Sequence, residues 1–429
     1  MNNQQVITVL DLGTTKQVTL IVRLPEDGMP DIIGIGIEDA RGMNQGTIVN
    51  MREASEAVSR SVSMAEQMAQ VKATPLIVGV TGQKISSISG RGSLNLGGER
   101  HEITEITPLA VENVVQQAIP ALTGGEQVLT HTLPRSFQID GMAVQQPVGM
   151  TGYRLDADVL VVSSAASVTN NIRNCVEEAG HTVDSLVLES LAGGMAVMTE
   201  GERNYGSLMI DIGGGTCDTS LYHGGHLQHV HVLPLGGERI TRDLAEILST
   251  SLEDAEELKL EYGKATPRIV ADDRRILVPL LNSSSANEYS LSYIASIIEC
   301  RLREYFEHVL QELERSRFLK MLEAGVVLTG GGSLLPGIKE VAEEVFQRSV
   351  RIGQPINLPG IHDRLEHPRY TVAVGLILYT AARMNMLNKE LIRSIGNPLL
   401  SADVRDRNAG VGSRLWRNMW QRVSGKVAL

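Results

Sequence analysis

Two matched α/β lobes, each built on a mixed sheet and closing on one cleft, are what the sequence predicts. Three observations carry the prediction. A module of strand, Asp-x-Gly turn, strand, turn and strand stands near the start of the chain and recurs at its middle. In each copy the glycine-rich turn directly follows a short apolar run, where a buried strand ends. A third such turn, Gly330–Gly332, closes a further apolar run late in the chain. A duplicated unit of this kind gives two similar lobes with a gap between them.

In the first copy, Val6–Leu10 reads as a strand ending at Asp11-Leu12-Gly13-Thr14-Thr15. Gln17–Leu24 is a second strand, Pro25–Pro30 a turn and Ile32–Ile37 a third strand. Ala54, Val58, Val62, Ala65 and Ala69 recur at helical spacing, which predicts a helix from Glu53 to Gln70. Leu76–Val80 is then a short buried strand. In the second copy, Ser207–Ile210 is a strand ending at Asp211-Ile212-Gly213-Gly214-Gly215-Thr216. Cys217–Tyr222 and Leu227–Leu233 are strands joined at His223-Gly224-Gly225, a helix begins near Thr241, and Ala324–Leu328 is a late strand.

This order assigns residues 1–83 and 163–204 to the first lobe, and 205–240 and 323–385 to the second. Residues 84–162 and 241–322 interrupt the lobes, and each is long enough to be a subdomain. Residues 386–411 are polar and broken by Gly396, Pro398 and Gly410, which suits a flexible linker. Residues 412–429 form an amphipathic helix.

The chain has 429 residues and a net charge of −11, and an acidic body argues against nucleic-acid binding. Cys175, Cys217 and Cys300 are far apart and show no CxxC spacing, as expected of reduced thiols. The start lacks the basic and apolar regions of a signal peptide. No apolar run approaches the roughly 20 residues of a spanning helix.

The turns Asp11–Lys16 and Asp211–Thr216 suit phosphate binding. Glycines let the backbone come close, and successive N–H groups form an anion nest. Hydroxyls on Thr14, Thr15 and Thr216 add donors, and Lys16 can neutralise a phosphate. Asp11 and Asp211 can hold Mg²⁺ through its waters. Either turn alone also reads as a simple chain reversal; the pair in a duplicated frame supplies one phosphate loop from each lobe. Gly330, Gly331 and Gly332 would let a purine approach the backbone. Three turns in this order resemble the superfamily of actin, sugar kinases and heat-shock chaperones. They do not match a Walker-A loop, which needs Gly-Lys-Ser/Thr after a four-residue spacer.

Within that superfamily the sequence resembles the FtsA family of bacterial cell-division proteins. The segments that carry the resemblance include Arg41-Gly-Met-Asn-Gln-Gly, Val80-Thr-Gly-Gln-Lys-Ile-Ser and His131-Thr-Leu-Pro-Arg-Ser-Phe-Gln-Ile-Asp-Gly. Pro147-Val-Gly-Met-Thr-Gly-Tyr-Arg-Leu, Leu328-Thr-Gly-Gly-Gly and Val374-Gly-Leu follow in family order. The resemblance implies an actin-like core with an FtsA-type inserted subdomain, and ATP with Mg²⁺ between the lobes. It implies self-assembly into filaments, binding of the FtsZ C-terminal peptide, recruitment of later division proteins, and a place on the cytoplasmic face of the inner membrane at the septum. Any ATPase activity is expected to be slow.

Residue by residue, the resemblance carries Asp11, Gly13, Thr14, Thr15 and Lys16 to the first phosphate loop. Asp211, Gly213, Gly214, Gly215 and Thr216 match the second. Glu256 and Lys259 match a helix that contacts base and ribose, although at one helical turn apart they also read as a solvated ion pair. Glu189 falls where filament-forming relatives orient the attacking water; a buried, hydrogen-bonded Glu is the alternative. Arg301 matches the helix that receives the FtsZ peptide, against the alternative of an exposed, solvated arginine.

From Arg407 onward there are five basic residues and no acids. Leu415, Trp416, Met419, Trp420 and Val423 form one helical stripe, flanked by Arg414, Arg417, Arg422 and Lys426. Such a helix suits an anionic membrane surface; a helix docked on the body is the other reading. His223, His226, His229 and His231 cluster on a hairpin with no neighbouring carboxylate evident in the sequence. Glu340, Glu343 and Glu344 read as a solvated face. A small-molecule kinase and a pilus-assembly or shape-determining relative remain as alternatives.

Overall fold

The computed structural model describes residues 5–25, 28–82, 84–97, 102–120, 126–281, 285–360 and 365–384. The predicted linker and the membrane helix lie outside these residues. Strands of three or more residues are numbered. The first module gives β1 (Gln5–Leu12), β2 (Lys16–Leu24) and β3 (Asp31–Asp39), then α1 (Met51–Ala69) and β4 (Leu76–Val80). Asn50 caps α1 by accepting from the Glu53 N–H at 3.3 Å, and Gln70 ends it in the left-handed conformation. β1, β2 and β3 run one to three residues beyond the sequence reading, because ladder pairing continues into the polar ends, where Asp11 lies opposite Val18 and Lys16 opposite Asp39; β4 matches its reading.

The insertion contains β5 (Ser86–Asn95), α2 (Pro108–Gln117), β6 (Gln127–Ile139), β7 (Met142–Val144) and β8 (Arg154–Ala165). Its strands form one antiparallel sheet in the order β7-β6-β8-β5. Val111, Val114 and Val115 of α2 close its core against Phe137, Leu155 and Val159. The chain returns through α3 (Ala166–Glu178), β9 (Val183–Leu188), α4 (Glu189–Val197) and α5 (Glu200–Tyr205).

The second lobe starts at β10 (Ser207–Ile212), β11 (Cys217–His223) and β12 (His226–Leu233). Next come α6 (Gly237–Leu248), α7 (Leu252–Tyr262), the hairpin β13 (Arg275–Pro279) and β14 (Ala286–Ser290), and α8 (Leu291–Arg315). It closes with β15 (Val326–Thr329), α9 (Ile338–Phe346), β16 (Val350–Ile352) and α10 (Thr371–Arg383). The helix expected near Thr241 starts four residues earlier, where the Gly237 and Glu238 N–H groups bond to the carbonyls of Gly213 and Gly214.

The two main sheets share one plan. The first runs β3-β2-β1-β4-β9 and the second β12-β11-β10-β15-β16, each with three antiparallel strands followed by two parallel ones. Asp11 and Asp211 are the penultimate residues of the central strand of their respective sheets. Chain position put residues 371–383 in the second lobe, but α10 packs on α4 and on β1, β2 and β4 of the first sheet. Twelve of its thirteen residues are buried, so it needs cover on every side, and the space between the sheets supplies it. Thr371 at its start also bonds to Thr329 of β15 at 2.6 Å, which fixes α10 to both lobes.

Candidate functional site

The turns after β1, β10 and β15 face one cleft of about 530 Å³, counted out to its open mouth. Gly13, Thr14, Thr15 and Lys16 line it from the first lobe; Gly213, Gly214 and Thr216 line it from the second, with Gly330 and Gly331 beside them. The two phosphate turns nearly touch: a Cβ on Gly214 would stand 2.2 Å from Thr15 Cγ2. Gly330 has φ +81, and a Cβ there would meet Asp211 Oδ1 at 2.1 Å, so only glycine fits.

The second turn is held from behind. Gly237 N–H donates to the Gly213 carbonyl at 2.9 Å, and Glu238 N–H to the Gly214 carbonyl at 2.8 Å. In a trans peptide the N–H points opposite its C=O, so the Gly214 and Gly215 amides point away from α6. On the first turn, Thr14 Oγ1 accepts from Gly46 N–H at 3.0 Å, and the Lys16 ammonium lies 5.5 Å over the Tyr370 ring.

Four carboxylates converge below the turns: Asp11, Glu189, Asp211 and Asp218, all at most 8% exposed. Burial, then the charges of Asp218 and Asp11, pushes Asp211 up to about 8. Burial and the acids Asp11, Asp218 and Asp211 raise Glu189 well above the carboxylate range, against the pull of Lys16. Burial also raises Asp11. Asp218 reaches about 6, because burial outweighs the hydroxyls of Thr81 and Thr216 that it accepts. Burial is the largest cause of each of these shifts.

This donor set fits Mg²⁺ with a polyphosphate. The ligand atoms are hard carboxylate and hydroxyl oxygens. Among the described residues no three His, Cys, Asp or Glu side chains come together as a direct metal cage.

Glu256 and Lys259 lie on α7 and are not among the residues lining the cleft. They are 2.6 Å apart, and Lys259 also donates to Thr241 Oγ1 at 2.8 Å and to the Gly237 carbonyl at 3.1 Å. The lysine side chain is only 12% exposed, so this is a brace on α6 rather than a solvated pair. Arg301 is likewise enclosed: it forks onto Asp243 of α6 and reaches Glu304, with its Nη2 2.9 Å from Asp243 Oδ1.

Two further readings change. A carboxylate does reach the histidine hairpin: Glu312 of α8 comes within 3.3 Å of His229 Nε2. Glu344 is paired as well as solvated: 37% exposed, it binds both Arg268 and Arg303, the latter at 2.5 Å. Sequence reasoning missed Asp218 and Thr81. The signal for Asp218 was faint, a single acid seven residues after Asp211 within the strand read over Cys217–Tyr222.

A duplicated sheet plan with paired glycine turns over one acidic cleft defines a protein of the actin-like class. Solved structures agree on the fold: the PilM-PilN type IV pilus biogenesis complex gives a TM-score of 0.60 at 17% identity, covering 87% of this chain and 98% of that one. MreB5 of Spiroplasma citri, solved bound to ADP, gives 0.54 at 14% identity over 87% and 96%. The model of the cell division protein FtsA family matches residues 208–375, and that of the SHS2 domain inserted in FtsA matches residues 82–163. Cell division protein FtsA of Pseudomonas aeruginosa is 35% identical over 376 residues, 87% of this chain and 89% of that protein. The Escherichia coli K12 protein is 34% identical over 430 residues, 98% of each. This chain belongs to the cell division protein FtsA family.

Proposed function

We propose that this chain binds ATP with Mg²⁺ between its lobes, assembles head to tail with further copies, and ties the FtsZ ring to the cytoplasmic face of the inner membrane at the septum. The observation that carries the nucleotide reading is the meeting of two phosphate-type turns from matching sheets over four buried carboxylates. Mg²⁺ held there would supply positive charge to offset that of the phosphates and of Asp11 and Asp211. The Gly214 and Gly215 amides and Lys16 hold phosphate oxygens, while Asp11 and Asp211 orient the ion's waters. The Gly330–Gly332 turn leaves room for the adenosine. Glu189, at the start of α4, would be the acceptor for an attacking water; burial and the neighbouring acids, which raise its pKa, weaken it in that role and suit slow hydrolysis.

The C-terminal stripe around Trp416 and Trp420 would lie in the headgroup region, with Arg414, Arg417, Arg422 and Lys426 on anionic lipid. A single such helix binds modestly, and assembly multiplies it. Arg301, poised between Asp243 and Glu304, would exchange one of these carboxylates for an acid of the FtsZ peptide. Later division proteins would join this scaffold. Isothermal titration with ATP and Mg²⁺ tests the central claim. We expect saturable binding that Asp11→Asn weakens at least tenfold; heat indistinguishable from buffer dilution would refute it.

A further inference from the structure

Asp218 joins the lobes. It lies on β11 of the second lobe, is 4% exposed, and accepts the Thr216 hydroxyl at 2.8 Å. Its other oxygen accepts the hydroxyl of Thr81, which follows β4 in the first lobe, 137 residues away in sequence. One carboxylate thus fastens the phosphate turn of one lobe to the strand end of the other.

The duplication provides an internal comparison. Asp211 lies opposite Asp218 across β10 and β11, and Asp11 lies opposite Val18 across β1 and β2. The same register position therefore carries a buried acid in one copy and an apolar residue in the other. The sheet does not need the acid, which has the character of a functional departure from the repeat. Gly46 covers the contact, since a Cβ there would stand 2.9 Å from Thr81 Cγ2 and 3.1 Å from Thr216 Cγ2. Hydrogen bonds from a hydroxyl to a carboxylate are among the stronger ones, more so away from water. The Thr216 proton points at Asp218, so its lone pairs are left for the cleft.

We propose that Asp218 is a positioning residue whose bond to Thr81 holds the lobes shut over bound nucleotide and so sets how long the nucleotide stays. This rests on the nucleotide reading above. The contact is made only when the lobes are together, so it resists opening and acts on the dissociation rate more than on entry.

The test is the release rate of a fluorescent ATP analogue, with Mg²⁺, from the full chain in stopped flow. Thr81→Val keeps shape and removes the hydroxyl; we expect release to quicken about tenfold, equivalent to about 1.4 kcal/mol. Thr81→Ser restores the hydroxyl and should return the rate to within about twofold of the native one. Asp218→Ala should also release faster, and adding Thr81→Val to it should change nothing more, because both remove the same bond. Native release from folded Thr81→Val, with only its melting temperature lowered, would overturn the clasp and leave nucleotide binding intact. Failure of the unaltered chain to bind the analogue would instead overturn the nucleotide reading.

Discussion

Asp211 carries a conflict between folding and function. Burial and two neighbouring acids hold its carboxyl near 8, so its charge is unfavourable in the empty fold. Asp211→Asn should therefore raise the melting temperature of the nucleotide-free chain, by roughly 0.5–2 kcal/mol of added stability. The same change should weaken Mg²⁺-ATP at least tenfold by titration calorimetry. Glu202 is the opposite case. Burial pushes its carboxyl up, but the Arg351 hydrogen bond and the Thr199 N–H outweigh burial, and its pKa falls below the ordinary 4.5. A lowered folded-state value means that its stabilisation is present above pH 4.5 and is lost as pH falls through the folded-state value. Glu202→Gln should then cost about 1 kcal/mol in urea unfolding at neutral pH, the size of a helix cap with a part-exposed pair. As pH falls through the folded-state value the difference should shrink toward zero. Residues such as Glu202 and Asp218 were not legible as partners, because Arg351 and Thr81 lie 149 and 137 residues away.

Elements were more legible than their contacts. The three glycine turns, the α1 spacing and the β4 run each rest on a local pattern, and each appears in place. The crossing of α10 did not show, because an all-round apolar helix states that it is buried without saying where. Arg301 looked exposed for a similar reason: its Asp243 partner is on another helix, 58 residues away. A comparable junction binds the insertion. Ser87 of β5 lies 3.3 Å from His229 Nδ1, and the same imidazole stacks on Phe318 and approaches Glu312 of α8. Arg135 of β6 adds a bond to Gln228 of β12 at 3.3 Å. His229→Ala should speed amide exchange in β5 at least fivefold in hydrogen-exchange mass spectrometry while β1 stays unchanged. Equal exchange in β5 would mean that the His229 ring does not hold the insertion.

For the whole molecule, the separation of body and tail makes the clearest test. The body is acidic and the final segment is basic and apolar. Among the described residues no helix is long and apolar enough to cross a bilayer. The full chain should pellet with anionic liposomes, and a chain ending before Gly412 should stay in the supernatant. Trp416→Glu should abolish pelleting and leave ATP binding untouched; loss of both would argue for a helix docked on the body. Sugars or glycerol should not stimulate ATP consumption. Strong stimulation would favour a kinase of the same superfamily.

α10 is bonded to β15 at its start and packs on β1, β2 and β4 of the first sheet, so both halves hold the last helix before the described residues end at Met384. Were the proposed tether to run on from Met384, a pull on it would load this shared helix before it reached the clasp at Asp218.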